Sequence, residues 1–281
     1  MTLFEISLAV ATILFALSAL LAVLSLHSDR EGLYRKGKTL FLLSSGLYLV
    51  PGLLRYYPFN AANFVDVTAS MWGYFYLLAL FLILTMVYFG FSRWKSYWKP
   101  IAAITLPFIS VMQILSLPFI HSPRRVIVDL ENNLLPVHIS VTMVGELFFF
   151  FSFAGSVLYA VLELQLRKKS SMKFIYRLPS LESIDKFNLW AITWSLGFLS
   201  AGLLVGIGLV YVHYGTFFLF SPKEVIIYVS WLLILLVFLL RYRRRISSFR
   251  ISLVNILLFL AAMSTFVATN IMIRAGFHSF K

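Results

Sequence analysis

The chain contains no cysteine and few charged residues. The absence of cysteine excludes disulfides, thiolate metal ligands and cysteine nucleophiles, so any metal must be bound by His, carboxylate, Met or Tyr side chains. Phosphate-binding glycine loops, metalloprotease helices and nucleophile elbows are also missing, which leaves a hydrolase or a nucleotide-driven pump without support. Only 12% of the 281 residues are charged, whereas 60% are hydrophobic. The five histidines therefore carry most of the chemical information.

Long apolar runs occupy most of the chain. A helix that rises about 1.5 Å per residue needs roughly 17–25 apolar residues to cross a hydrocarbon core of ~30 Å. Such runs predict an all-α, polytopic membrane protein with about eight spans, at 4–26, 39–56, 68–92, 100–120, 138–162, 187–212, 224–240 and 251–273. The connections are too short for independent soluble cores. The sequence therefore predicts one transmembrane domain, 1–281, in which 1–137 carries no assigned motif.

The formal charge of +13 reflects topology rather than a nucleic-acid surface. Lys and Arg collect on the cytoplasmic side of membrane proteins, and most of the 24 basic residues fall in four connections on one side when the amino terminus is outside. Both termini are then predicted to be extracytoplasmic. The first span follows Glu5 without a basic leader or a small-residue cleavage site, which predicts a retained helix. We expect a multi-pass protein of a prokaryotic cell membrane, in contact with the lipid bilayer and with no nucleic acid.

Four of the five histidines share the outer face on this topology. They are His121, His138, His213 and His278, whereas His27 lies inside. Imidazole nitrogen suits iron, and two separate helices can hold opposite faces of one haem. His138, at the start of the fifth span, and His278, beyond the eighth, are the candidate iron ligands. His121 and His213 are interpreted as interfacial polar residues.

A haem site also needs an apolar wall and cations near the water boundary. The connection 213–224 has rings too dense for an ordinary exposed loop, namely Tyr214, Phe217, Phe218 and Phe220. They indicate either a re-entrant or interfacial wall for a flat ligand, or an aromatic belt against lipid. The nearby cations, which could pair with haem propionates or with lipid phosphate, are Arg124, Arg125, Lys223 and Arg274.

Other polar and small residues within the predicted spans favour structural roles. Glu146 is the only carboxylate in the interior of a predicted span, away from the span ends, and lies about two turns from His138. A structural or proton-handling role is favoured over catalysis, because no second carboxylate accompanies it. Gly202, Gly206 and Gly208 form a small-residue face, which predicts close helix packing.

Three stretches of the second half resemble the cytochrome c assembly family, the haem-handling membrane proteins that include CcsA-, CcmC- and HemX-type members. They are Leu178 to Asn188, Ser221 to Trp231, and the terminal 276–280. The resemblance covers roughly 138–281. The family signature WGxYWxWDPKE corresponds here to YGTFFLFSPKE at 214–224, in which other rings replace every tryptophan and Ser221 replaces the aspartate.

The resemblance implies a membrane haem-handling protein of cytochrome c biogenesis. In such proteins the two outer histidines are axial haem ligands, and His138 and His278 occupy the matching positions, with haem b as the cofactor. Leu239 stands where CcsA-type synthases carry a histidine, which favours a HemX-like accessory protein over an enzyme that attaches haem to a cytochrome. The resemblance links such accessory proteins to haem biosynthesis and to control of the level of glutamyl-tRNA reductase. The implied partners are other cytochrome c biogenesis or haem-biosynthesis proteins. Two alternatives are a non-haem scaffold or partner-binding subunit with a degenerate pocket, and a transporter that uses Glu146 and Asn270.

Overall fold

The computed structural model describes residues 2–27, 31–56, 71–91, 95–120, 134–168, 179–218, 222–243 and 246–272. Over these ranges the chain forms eight α-helices long and apolar enough to span a membrane, and no strand. The helices are α1 (Leu3–His27), α2 (Glu31–Tyr56), α3 (Met71–Phe91), α4 (Lys95–Ser116), α5 (Leu134–Arg167), α6 (Leu181–Tyr214), α7 (Pro222–Tyr242) and α8 (Ser248–Met272). The prediction of an all-α, multi-pass membrane protein is confirmed. The outward placement of both termini stays a prediction.

Several helices extend beyond the predicted apolar spans. Both α5 and α6 have 34 residues, so each rises roughly 50 Å, more than the hydrocarbon thickness. The start of α6 is fixed by the Ser180 hydroxyl, which accepts a hydrogen bond from the Ser183 N–H at 3.2 Å. Its end is fixed by Gly215 with φ of 67°, whose N–H donates to the Tyr211 carbonyl. Hydropathy marks the part of a helix that suits hydrocarbon, whereas capping decides where the helix stops.

The helices fall into two compact units. The first comprises Met1–Glu131 with Met172–Leu178 and holds α1 to α4, and the second comprises Asn132–Ser171 with Pro179–Lys281 and holds α5 to α8. In the first unit α1 packs against α2 and α4, and α3 packs against α4. Its core stacks the Tyr76 ring between Trp72 and Tyr48, at centroid distances of 4.9 and 4.7 Å. The prediction of one transmembrane domain stays a prediction.

An antiparallel pair of helices, α5 and α6, is the centre of the second unit. α8 packs on α5, and α7 contacts both α6 and α8. A Cβ atom at Gly145 would lie 2.7 Å from Leu199 Cγ, and one at Gly202 would lie 2.5 Å from Thr142 Oγ1. Only glycine therefore permits this close approach, which confirms the predicted packing role of Gly202. A Cβ at Gly208 would meet no atom within 4 Å among the described residues.

A buried amide links α8 to α5 inside the second unit. Asn255 is fully buried, and its Nδ2 donates to the hydroxyls of Ser152 at 2.9 Å and Ser156 at 3.0 Å. Such bonds satisfy polar groups that would otherwise be costly in hydrocarbon. They fix the rotation of α8 about its axis relative to α5.

Candidate functional site

His138 lies in the second turn of α5, with its half-buried ring against α6. The Nδ1 atom of the ring is 2.8 Å from the Gly202 carbonyl oxygen. A carbonyl oxygen only accepts hydrogen bonds, so Nδ1 must carry the proton, and the ring lone pair is then on Nε2. Histidines that bind metals are usually held in this way, with the second nitrogen donating to a carbonyl or carboxylate. The contact therefore fixes the neutral His138 ring as its Nδ1–H tautomer, and its role as an iron ligand stays a prediction.

Two glycines on α6 hold this ring in place. Gly202 supplies the accepting carbonyl, and a Cβ at Gly206 would lie 2.8 Å from the His138 Cε1 and 3.2 Å from Nδ1. The ring thus occupies the space that a side chain at 206 would fill. On α5, the Thr142 hydroxyl donates to the His138 carbonyl at 2.8 Å. The sequence predicted only packing for these glycines, and their spacing gave no sign that one of them would accept a hydrogen bond from the histidine.

The aromatic segment at the end of α6 is exposed. Tyr214, Phe217 and Phe218 are 58%, 59% and 55% exposed. Phe217 stacks on Tyr211, with centroids 4.5 Å apart and planes 14° apart, and Phe218 meets Tyr228 edge-on at 6.2 Å. These contacts hold the Phe217 and Phe218 rings in defined orientations, while more than half of the surface of each residue remains exposed. Both an apolar wall and a lipid belt agree with this arrangement.

The histidine and the aromatic segment lie at the same end of the second unit, because α5 and α6 run antiparallel. Gly206 and Tyr214 are eight residues apart on α6, or roughly 12 Å along its axis. The His138 ring therefore contacts α6 about two turns before the exposed rings. A ligand bound through Nε2 would reach them by extending along this helix.

The remaining predicted site residues are not brought together by the described structure. Lys223 is in the first turn of α7, but its side chain is not described. Outside the described residues lie His278, Phe220, Arg124, Arg125 and Arg274. The convergence of two imidazoles therefore stays a prediction. Within the described ranges, no three His, Asp or Glu side chains are grouped as they would be around a bare metal ion.

One hydrogen bond near the site was not predicted from the sequence. Trp231 was noted in the sequence only as part of the family resemblance. Its Nε1–H donates to the Ser200 hydroxyl at 2.9 Å. This bond ties α7 to α6 two residues from Gly202. It steadies the stretch of α6 that holds the His138 ring.

Comparisons with known proteins agree with this architecture. The model of the family described as Cytochrome C assembly protein matches residues 68–275, about three quarters of the chain. The match extends towards the amino terminus well beyond His138 and includes α3 to α8. No curated protein and no solved structure shows significant similarity to the chain. The family and the eight apolar helices together support a haem-handling role in cytochrome c biogenesis, and the chain belongs to the cytochrome c assembly protein family.

Proposed function

We propose that this chain binds haem at the His138 end of the second unit and serves cytochrome c biogenesis as an accessory protein rather than as an enzyme. His138 and His278 are the proposed axial ligands. The observation that supports this best is the hydrogen bond from His138 Nδ1 to the Gly202 carbonyl, because it leaves the lone pair on Nε2. Haem held by two imidazoles would supply a low-spin iron centre.

The chain's own residues also fit the porphyrin and its propionates. Tyr214, Phe217 and Phe218 expose ring surface at the end of α6, and Phe220 would extend that wall. The proposed partners of the propionates are Arg124, Arg125, Lys223 and Arg274. Because the chain has no cysteine, it cannot form thioether bonds to haem, so the proposed cofactor is non-covalent haem b.

The proposed membrane placement puts this site outside the cell. The basic connections then face the cytoplasm and both termini face out. We place the protein in the cell membrane of a prokaryote and in the HemX-like branch of the family, because Leu239 replaces a histidine that complete synthases carry inside the span.

The absorbance spectrum of the protein as isolated tests the proposal. We expect a low-spin, bis-histidine spectrum, either as isolated or after haem is added to the purified full-length chain. His138→Ala and His278→Ala should each weaken it, whereas His213→Ala, at the same face, should not. Identical spectra from the native protein and from both ligand variants would refute axial ligation.

A second candidate function, a scaffold or partner-binding subunit, is favoured by the exposure of α6. In the most apolar 18-residue window of each helix, only 11% of the residues of α6 are buried, whereas 67% of those of α5 are. Trp190 and Trp194 are exposed on α6, although tryptophan usually concentrates at membrane interfaces. They form a ladder of rings with Phe148 and Phe198. Recovery from native membranes with a stoichiometric partner and without porphyrin absorbance would support this function.

A further inference from the structure

Side-chain hydrogen bonds join α7 to α6 at two levels. One runs from Trp231 Nε1 to the Ser200 hydroxyl at 2.9 Å, and the other runs from Arg241 Nη1 to Asp185 Oδ1 at 2.6 Å. In the most apolar 18-residue window of α7 only 17% of the residues are buried. Lipid is as apolar as the helices, so no hydrophobic force drives them together. A helix with so little burial therefore depends strongly on these two bonds.

The two bonds hold different parts of α7. Trp231 and Arg241 are ten residues apart, or roughly 15 Å along the helix axis. Arg241 holds the end of α7, whereas Trp231 holds its middle, nearer to the aromatic segment that precedes the helix. Without the Trp231 bond, α7 would be free to pivot about Arg241, and its first half would move most. The distance between α6 and α7 beside the aromatic segment therefore depends on Trp231.

Two neighbouring rings of the aromatic segment are held by different helices. Phe217 stacks on Tyr211 of α6 at 4.5 Å, whereas Phe218 meets Tyr228 of α7 edge-on at 6.2 Å. Tyr228 lies three residues before Trp231, so the two side chains are neighbours on one side of α7. Phe217 and Phe218 therefore keep their relative orientation only while α6 and α7 keep their distance.

The Trp231 bond also lies close to the support of the histidine. Ser200 is two residues before Gly202, whose carbonyl accepts the hydrogen bond from His138 Nδ1. We propose that the bond between Trp231 and Ser200 sets the distance between α6 and α7, and that Trp231, Ser200 and Tyr228 are positioning residues for the flat ring bound there. This assignment rests on the proposed function, because it concerns the same porphyrin site.

The chemistry of the three residues predicts how their variants should differ. Trp231→Phe keeps an aromatic ring but removes the N–H donor, and Ser200→Ala removes the acceptor. Either change removes the same bond, so the two changes together should cost no more than one of them. The contact of Tyr228 with Phe218 needs only the ring, so Tyr228→Phe should restore what Tyr228→Ala loses.

Fluorescence titration with metal-free protoporphyrin IX tests the spacing without axial ligation. The full-length protein is titrated in detergent, with protein-free detergent as the blank. We expect Trp231→Phe, Ser200→Ala and the double variant each to weaken binding about threefold, the value of one hydrogen bond between membrane helices. Tyr228→Ala should weaken binding about two- to tenfold, as loss of one aromatic pair would, and Tyr228→Phe should reverse that loss.

Fluorine NMR of the full-length protein with 4-fluorophenylalanine at position 218 needs no ligand. The fluorine signal reports the surroundings of the Phe218 ring, which Tyr228 contacts. Trp231→Phe and Ser200→Ala should each move this signal in the same direction, because both release α7 from α6.

Trp194→Phe is the matched control. It removes the same N–H group from a half-exposed indole of α6, whose ring stacks on Phe148 and Phe198. The assignment would be overturned if Trp231→Phe matched this control in both measurements, or if the double variant lost the product of the two single losses. Protoporphyrin has no iron, so a failure of axial ligation at His138 would leave both measurements unchanged. If the native protein bound neither haem nor porphyrin, the proposed function would fail, and the fluorine signal would decide the spacing.

Discussion

Replacing Gly206 with alanine should displace the His138 ring. The added Cβ would lie 2.8 Å from the ring Cε1, whereas carbon atoms in contact are about 3.5–4.0 Å apart. The ring must therefore move by roughly 0.7–1.2 Å. A shift of this size could lengthen the 2.8 Å separation of Nδ1 and the Gly202 oxygen to about 3.5–4.0 Å, at or beyond the limit of a hydrogen bond. Loss of such a supporting contact typically lowers metal affinity by about 10–100-fold.

Haem titration of the purified protein, followed by absorbance, measures this effect. We expect Gly206→Ala to weaken binding by about 10–100-fold and to lower the low-spin fraction. Gly208→Ala is the matched control, because its Cβ would meet no described atom within 4 Å, and its affinity should stay within about twofold of the native value. Nitrogen NMR of ¹⁵N-histidine should show the Nδ1–H tautomer of His138 in the control and lose it in Gly206→Ala, with or without haem. Equal affinities and equal tautomers in the two variants would refute the proposed support of the ring.

Three further changes test the fold and the membrane placement. Asp185→Asn should lower the free energy of unfolding in detergent by about 3 kcal/mol, because it leaves the buried Arg241 without a counter-charge; an unchanged unfolding midpoint would contradict this. Asn255→Ala should cost about 1–2 kcal/mol in the same assay, since each lost hydrogen bond between membrane helices averages about 0.6 kcal/mol and a small cavity remains, whereas native stability would show that these bonds contribute little. The chain has no cysteine, so Thr2→Cys should react with an impermeant thiol reagent on intact cells and Lys168→Cys only after permeabilisation; the opposite pattern would reverse the topology.

The sequence located the histidine but not its environment. His138 was predicted as a ligand from its type and its place at a helix start. Its acceptor, Gly202, is 64 residues away, and the contact exists only because α5 and α6 pack antiparallel in one register. Similarly, nothing in the sequence separates Arg241 from the other basic residues that follow the seventh predicted span. In the structure Arg241 is buried and pairs with Asp185, which lies 56 residues earlier in the chain. The position of Asp185 near the start of α6 does not indicate this pairing.

The sequence by itself determined the eight membrane helices and the family of this protein. Hydrocarbon leaves backbone groups no partner except their own helix, so a long apolar run specifies both the secondary structure and the environment. Only the tertiary structure decided which nitrogen of His138 carries the proton, why Gly206 must lack a side chain, and which carboxylate pairs with the buried Arg241. These features depend on contacts between distant residues, because interhelical register and rotation are set by the fit of side chains across an interface and leave no periodic pattern in either helix.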